Sequence, residues 1–344
     1  MNIAEMIVFP QAEWGQPASD RWLTWCSELK DYEPPQRSLS IRRQERKWEL
    51  VSAYQKSVRR GERAQALMLV SAMDSMPAEW GYFHKRVATT FTEDVGPADR
   101  ELVLFAISAL KCNTPKKLGA ANYRMICYLT EKACALPNRS RIYCSLSVIE
   151  NKMKGLTSWQ PTVEQNKLRQ LIYMPEEWAS TDRQAAWAVK NNWRGEGMLK
   201  WAAGELLIET HQEPDNMPPV QVFYGLPSYA YDMHTRAGIV CLAKLNHRLT
   251  IQHGEAGKLL GWALFFEEGG KIKGEIRSQE LAALEQVIVA KSFGVSQKMW
   301  ESTREKVSTA LRDGTMEDIR NKILWSFYGR EQQSQSAHAI VGSS

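Results

Sequence analysis

The chain has 344 residues, which exceeds the usual length of one domain and predicts two domains or one large composite domain. Hydrophobic residues make up 44% and charged residues 24% of the sequence, and no apolar run approaches the ~18 residues of a membrane span. These values exclude a globally disordered chain and a membrane-spanning one. The net charge of +5 is concentrated in residues 37–63, which contain nine basic and three acidic side chains.

Residues 1–37 are predicted to form an N-terminal arm with a short helix at about 19–31. Pro34 and Pro35 end that helix, because proline cannot continue one. The opening residues, MNIAEMIVFPQAEW, have no basic segment before their short apolar patch, so no secretory signal is expected. The predicted location is therefore the cytoplasm.

The segment 37–63 is predicted to form a basic amphipathic helix that Gly61 ends. Its apolar positions recur at spacings of three, four or seven, and they are Ile41, Trp48, Val51, Tyr54 and Val58. Its candidate nucleic-acid-binding residues are Arg42, Arg43, Arg46, Lys47, Arg59, Arg60 and Arg63. A basic helix either faces phosphates or is a solvated surface, and the sequence leaves both interpretations open.

Further helices are predicted up to residue 154, which closes a first domain at 38–154. Their expected ranges are about 63–74, 77–93, 98–111, 116–135 and 139–154. Prolines separate them, and Asp99, two residues after Pro97, is expected to cap the helix that follows it.

This domain contains two informative strings. The first is SAYQKSVRRGERAQALMLVSAM, and the second, which follows it in the chain, is FHKRVATTFTEDVGPADREL. Together they resemble the C-terminal helical region of RarA/MgsA-type ATPases, clamp-loader relatives whose eukaryotic counterpart is the Werner-helicase-interacting protein. The matching positions are Lys56, Ser57, Arg59, Ala66, Leu67, Arg86, Glu93, Asp94, Val95, Gly96, Ala98 and Asp99. A weaker match follows at Tyr128, Leu129, Pro137, Ser140 and Tyr143.

The resemblance covers residues 49–150 and implies a region that assembles subunits but lacks the ATPase domain of the family. In the family, this region packs subunits into a ring or a tetramer beside an ATPase domain. Here the pattern GxxxxGK[ST] does not occur, and the nearest string, at residues 254–259, has the wrong spacing and no Ser or Thr after its lysine. We therefore expect no ATPase activity and no cofactor.

The best-matched motif residues are expected to be structural rather than catalytic. Acid–base pairs among Arg86, Glu93 and Asp94 would fix the angle between two helices. Gly96 would let the backbone leave the first helix, and Asp99 would start the second.

A second helical domain is expected at 162–330, after a junction at 155–161. Its predicted helices lie at about 162–173, 176–191, 194–211, 229–246, 254–267, 278–291, 296–312 and 315–328. The four prolines of residues 211–227 predict a loop, a small hairpin is expected at 271–276, and residues 331–344 are expected to be a flexible tail.

Four tryptophans of this second domain stand near basic residues, and they are Trp178, Trp187, Trp193 and Trp201. Such residues are either core and interface anchors or platforms on which single-stranded bases stack.

The most enzyme-like string contains Asp232, His234 and Arg236. In a helix, Asp232 and Arg236 would form an ion pair, and His234 would face elsewhere, because successive residues are about 100° apart. In an extended segment, Asp232 and His234 would share one face and form a candidate acid–base or metal site. Both interpretations remain open.

No metal site is expected elsewhere. The six cysteines form no CxxC pair and are interpreted as reduced core thiols, with a nucleophile or a zinc site as the alternative. His247 and His253 have no carboxylate or cysteine at ligand spacing.

The sequence thus predicts an all-α, non-enzymatic accessory protein of DNA replication or repair, with a collar-like helical domain followed by a second helical domain. Its expected partners are further copies of itself, DNA, or a clamp-loader or replication protein. Binding of nucleic acid through residues 37–63, or an enzyme centred on Asp232, His234 and Arg236, are the alternatives.

Overall fold

The computed structural model describes residues 20–37, 46–112, 120–153, 211–212, 217–277 and 279–329. Within these ranges the chain is helical apart from turns and four two-residue strands, which confirms the predicted all-α class. Several predictions lie outside the described residues, namely the helices at 162–173 and 176–191, residues 194–210 of the helix at 194–211, the four tryptophans between 178 and 201, and the tail at 331–344.

Twelve α-helices occur in the described part of the chain. They are α1 (Asp20–Asp31), α2 (Lys47–Arg60), α3 (Arg63–Asp74), α4 (Pro77–Thr90), α5 (Arg100–Cys112), α6 (Ala120–Ala135), α7 (Ile142–Met153), α8 (Arg236–Leu249), α9 (Ala256–Leu264), α10 (Gln279–Ser292), α11 (Gln297–Arg312) and α12 (Thr315–Leu324). Single π-helical turns extend α4, α9 and α12, at Phe91–Val95, Phe265–Gly269 and Trp325–Gly329.

The chain divides into two compact units. Unit 1 comprises residues 1–42, 57–215 and 272–292, and unit 2 comprises residues 43–56, 216–271 and 293–344. This division differs from the continuous domains expected at 38–154 and 162–330. The reason is that residues 43–56 group with the second half of the chain, whereas residues 272–292 group with the first.

Unit 1 is built on two close helix pairs, α3 with α6 and α7 with α10. Leu69 on α3 and Ile126 on α6 are fully buried, as are Phe83 and Phe105 on the neighbouring helices α4 and α5. Each such side chain contributes about 1.5–3 kcal/mol to folding relative to exposure. Gly61 ends α2 with φ +68°, as the sequence predicts.

In unit 2, α8 packs against α9 and α12, and α9 packs against α11. Trp300 of α11 is fully buried, and its ring lies edge-on to Phe266 with 5.9 Å between centroids. The helix expected to begin at residue 229 begins instead at Arg236, because the hydroxyl oxygen of Thr235 accepts from the amide of Gly238 and caps it there.

The short strands correct one predicted loop and one predicted hairpin. Strands β2 (Val222–Phe223) and β3 (Leu226–Pro227) form a hairpin inside the expected loop at 211–227. Strands β1 (His211–Gln212) and β4 (Ile276–Arg277) pair antiparallel, instead of the local hairpin expected at 271–276. Strands of two residues are too short to show the alternation by which a sequence reveals a strand.

Candidate functional site

Arg46, one residue before α2, is enclosed by aromatic residues of unit 2. Its Nη1 donates to the carbonyl oxygen of Tyr224 at 2.8 Å, and its Nη2 donates to the hydroxyl of Tyr231 at 2.6 Å. The guanidinium also lies 4.4 Å from the ring centroid of Tyr328, a cation–π distance. The hydroxyl of Tyr328 in turn donates to Glu49 at 3.2 Å. Arg46 therefore holds the hairpin and the last turn of unit 2 against the start of α2.

Lys56, also in unit 2, is a buried cation with several hydrogen-bond partners. Its Nζ donates to the carboxylate of Asp232 at 2.6 Å, to the carbonyl oxygen of Tyr229 at 2.6 Å and to the hydroxyl of Ser52 at 2.8 Å. All three donor sites of the ammonium group are thus used, as burial of a charge requires.

Asp232 is the buried anion of this cluster. Its carboxylate also lies 3.0 Å from Nδ1 of His234, whose side chain is 64% exposed. Burial alone would raise the pKa of Asp232, but the charge of Lys56 and the hydrogen bond and charge of His234 outweigh burial. They hold the pKa of Asp232 well below its usual range, so the group is a fixed carboxylate.

Of the three residues of the enzyme-like string, the structure brings only two together. The carboxylate of Asp232 accepts from the backbone amide of His234 at 2.9 Å and contacts its Nδ1, because the two residues stand in a turn before α8 rather than in a helix. Arg236 lies elsewhere, with its guanidinium 5.9 Å from the ring centroid of Phe327. Among the described residues, the Asp232–Arg236 ion pair expected for a helix is not formed. Asp232 pairs with Lys56 instead.

Arg59 and Asp94 form a corner in unit 1, between the end of α2 and the π turn after α4. Nε of Arg59 donates to Oδ1 of Asp94 at 2.5 Å, and both side chains are buried. Burial would lower the pKa of Arg59, but the negative charge of Asp94 outweighs burial, and the pKa of Arg59 is raised. A pair of this kind is costly to break from one side, because the remaining charge stays buried.

Other residues of the matched motif surround this corner. Gly96 has φ +52°, and a Cβ atom there would lie 2.5 Å from the carbonyl oxygen of Ser140, so only glycine fits. Oδ1 of Asp99 accepts from the amide of Leu102 at 3.0 Å and caps α5. Arg86 and Glu93 are half-buried and 3.9 Å apart.

Unit 2 contains a second corner of the same design, which was not anticipated from the sequence. In the π turn after α9, the carboxylate of Glu268 accepts two hydrogen bonds from Arg320 of α12, at 2.6 and 2.9 Å, and one from Ser228 at 2.8 Å. The preceding residue, Glu267, pairs with Arg304 of α11 at 2.6 Å. As in unit 1, the second acid is buried with its arginine, and the first is only partly buried with its own.

A signal for this second corner is present in the sequence. Residues 91–96 read FTEDVG and residues 265–270 read FFEEGG, so both follow the pattern Phe-x-Glu-acid-x-Gly. Each copy ends a helix with one π-helical turn. In both copies the pattern ends a helix, and its two acids pair with two arginines.

The phosphate-facing interpretation of residues 37–63 is corrected for Arg46, Arg59 and Arg60, because all three are buried and cannot reach a phosphate. Arg63 is exposed and pairs with Glu131 at 2.7 Å. Lys47 lies 4.8 Å from the ring centroid of Trp48. The remaining candidates, Arg42 and Arg43, lie outside the described residues.

Trp48 departs from the predicted apolar stripe. Its side chain is 51% exposed, whereas Val51, Tyr54 and Val58 of the same stripe are buried. The start of α2 therefore presents a large, partly exposed aromatic side chain.

Other candidate chemistry finds little support in the described residues. They hold no cluster of three or more side chains suited to a metal ion. Burial raises the pKa of Cys26 and Cys241 to about 11, which keeps both thiols protonated. Lys258, of the string nearest to a phosphate-binding loop, is exposed and pairs with Glu255. No helix in the described ranges is both long and apolar enough to cross a membrane.

The chain matches no protein-family model, no curated protein and no solved structure.

Proposed function

We propose that the chain is a non-catalytic, self-assembling helical protein that serves DNA replication or repair in the cytoplasm, with further copies of itself or a clamp-loader-like protein as partners. The observation that carries this proposal is the corner formed by Arg59, Asp94, Gly96 and Asp99. These residues carry the resemblance to the collar region of clamp-loader relatives, and each of them has a structural role here.

The arrangement of charges in unit 2 favours a scaffold over an enzyme. Lys56 neutralises Asp232, and Arg320 neutralises Glu268, in buried pairs. Catalytic acids and bases need a pKa near the working pH and access to a substrate, and a buried carboxylate with a strongly lowered pKa has neither. The charged groups of the core therefore serve the fold.

Exposed aromatic and aliphatic side chains of unit 2 supply a surface for assembly. Trp48 and Trp325 are each about half exposed, and Val222 on the hairpin is 66% exposed. Tryptophan is enriched in the cores of protein interfaces, because it buries a large area at a small cost in side-chain entropy.

Light scattering coupled to gel filtration tests the proposal. At micromolar concentration the wild type should elute with a mass that is a multiple of its 39.3 kDa chain mass. Trp48→Ala with Trp325→Ala should lower that mass, whereas the control Leu23→Ala with Leu284→Ala, which trims two exposed apolar residues of unit 1, should not. A monomeric wild type would refute self-assembly.

A second candidate, acid–base chemistry at His234, is favoured by one observation. Its Nδ1 contacts a fixed carboxylate while its side chain remains exposed, an arrangement that general-base histidines use. Chemical modification with diethyl pyrocarbonate compares His234 with His247, a second exposed histidine among the described residues. Equal reactivity of the two would remove this candidate.

A further inference from the structure

The exposed face of α8 in unit 2 is basic. The helix contains Arg236, Lys244 and Arg248, all exposed, and it has no Asp or Glu. His247 is exposed as well, and Ile239 is 55% exposed. We call Arg236, Lys244, His247 and Arg248 the α8 basic face.

Helical geometry places these four side chains on one side of α8. At 100° per residue they fall within about 120° of one another around the axis, and at 1.5 Å per residue they extend along about 18 Å. The opposite side carries Gly238, Leu242 and Leu245, which are buried. The basic face therefore points away from the helices on which α8 packs.

Most basic side chains of this face are not neutralised by acids within the described part of the chain. Arg236, Lys244 and His247 form no ion pair with any described residue. The carboxylate of Asp313 has a lowered pKa, mainly because Thr315 donates hydrogen bonds to it, with a minor contribution from the charge of Arg248. By contrast, the buried cations of the same unit, such as Arg320, are paired with acids.

Helix stability explains only part of this pattern. Cations in the last turn, such as Arg248, are favoured by the helix dipole. Arg236 stands in the first turn, where the dipole disfavours a cation, and no acid of the helix offsets it. Another helix of unit 2 shows the usual solvated pattern, since α11 mixes Glu301 and Glu305 with its lysines.

We propose that the α8 basic face binds the phosphate backbone of nucleic acid without regard to sequence. Phosphates follow one strand of duplex DNA about every 3.4 Å along the axis, so a face about 18 Å long spans roughly five of them. This inference deepens the proposed function by naming the surface that contacts DNA. It replaces the phosphate-binding role of the buried Arg46, Arg59 and Arg60.

The experiment measures fluorescence anisotropy of a labelled duplex of about 20 base pairs at several salt concentrations. The test variant is Arg236→Ala/Lys244→Ala/Arg248→Ala. The control is Lys298→Ala/Lys306→Ala/Arg312→Ala, which removes three exposed cations from α11 in the same unit. Circular dichroism verifies that both variants keep their helices.

For the wild type, the logarithm of the binding constant should fall with the logarithm of the salt concentration with a slope of about −3 or steeper. The reason is that each neutralised phosphate contributes about −0.9. The test variant should bind about a hundredfold more weakly near 0.1 M salt and lose most of that slope. The control should stay close to wild type.

Absence of wild-type binding at low salt, or equal losses in both variants, would overturn the inference. So would binding to phosphatidylserine vesicles that the test variant loses while DNA binding persists. The mass of each variant, measured by light scattering, separates the two proposals. A test variant that keeps its mass but loses DNA leaves self-assembly intact, whereas a monomeric wild type that binds DNA refutes self-assembly alone.

Discussion

Nε of Arg59 lies 2.5 Å from Oδ1 of Asp94, and neither side chain is more than 2% exposed. The pair joins the last turn of α2 to the π turn after α4 within unit 1. The end of α2, which the sequence presents as part of a basic surface helix, is therefore held by a buried ion pair. Charges of this kind are sensitive to the loss of one partner and tolerant of the loss of both.

We therefore expect Asp94→Ala to lower the free energy of unfolding by about 3–5 kcal/mol, because it leaves the Arg59 guanidinium buried without its carboxylate. The double variant Arg59→Met/Asp94→Leu should recover most of that loss. Urea unfolding followed by circular dichroism gives both values. A single variant as stable as wild type would show that the corner is not maintained by this pair.

The second corner permits a matched comparison of two arginines. Arg320→Ala should destabilise the protein by about 3–5 kcal/mol, because Glu268 would remain buried. Arg304→Ala should cost only about 0–1 kcal/mol, because Arg304 and Glu267 are partly solvated. The measurement is again urea unfolding. Equal losses in the two variants would mean that burial does not distinguish the two pairs.

The fold class and several helix ends could be predicted from the sequence, because they depend on local chemistry. Gly61 and Gly96 end helices with positive φ, and Asp99 caps α5, each through neighbours in the chain. Such features need no knowledge of distant contacts.

Which basic side chains are buried, and with which partners, could not be predicted in the same way. Lys56 and Asp232 are 176 residues apart in sequence, and Arg46 and Tyr231 are 185 apart. A charge pattern within one segment contains no information on such partners, so it does not distinguish buried cations from a phosphate-binding surface. The second corner was predictable in principle, since its pattern repeats that of residues 91–96.

Gly238 tests how closely α8 approaches the turn before it. A Cβ atom at this position would lie 1.9 Å from the carbonyl oxygen of Asp232. Gly238→Ala should therefore lower the melting temperature substantially. The control Gly257→Ala, in α9 with nothing within 4 Å, should leave it unchanged or raise it, because alanine favours helix by roughly 0.5–1 kcal/mol. A harmless Gly238→Ala would contradict the close packing.

Asp232 predicts a specific dependence of stability on pH. Its pKa is lower in the folded protein than in the unfolded chain, so its ion pair stabilises the fold above the unfolded value of about 4, and this stabilisation is lost as pH falls below that value. Asp232→Asn should be less stable than wild type at pH 6, because Lys56 loses its counter-charge. The difference should shrink between about pH 4 and pH 3. A difference that does not change with pH would contradict the ion pair.

Sedimentation equilibrium of the wild-type protein over a range of micromolar concentrations tests self-assembly most directly. We predict one closed species whose mass is a whole multiple of 39.3 kDa, unchanged by duplex DNA except for the mass of the bound DNA. A mass of 39.3 kDa at every concentration, with and without DNA, would contradict the proposal that this chain is a self-assembling scaffold.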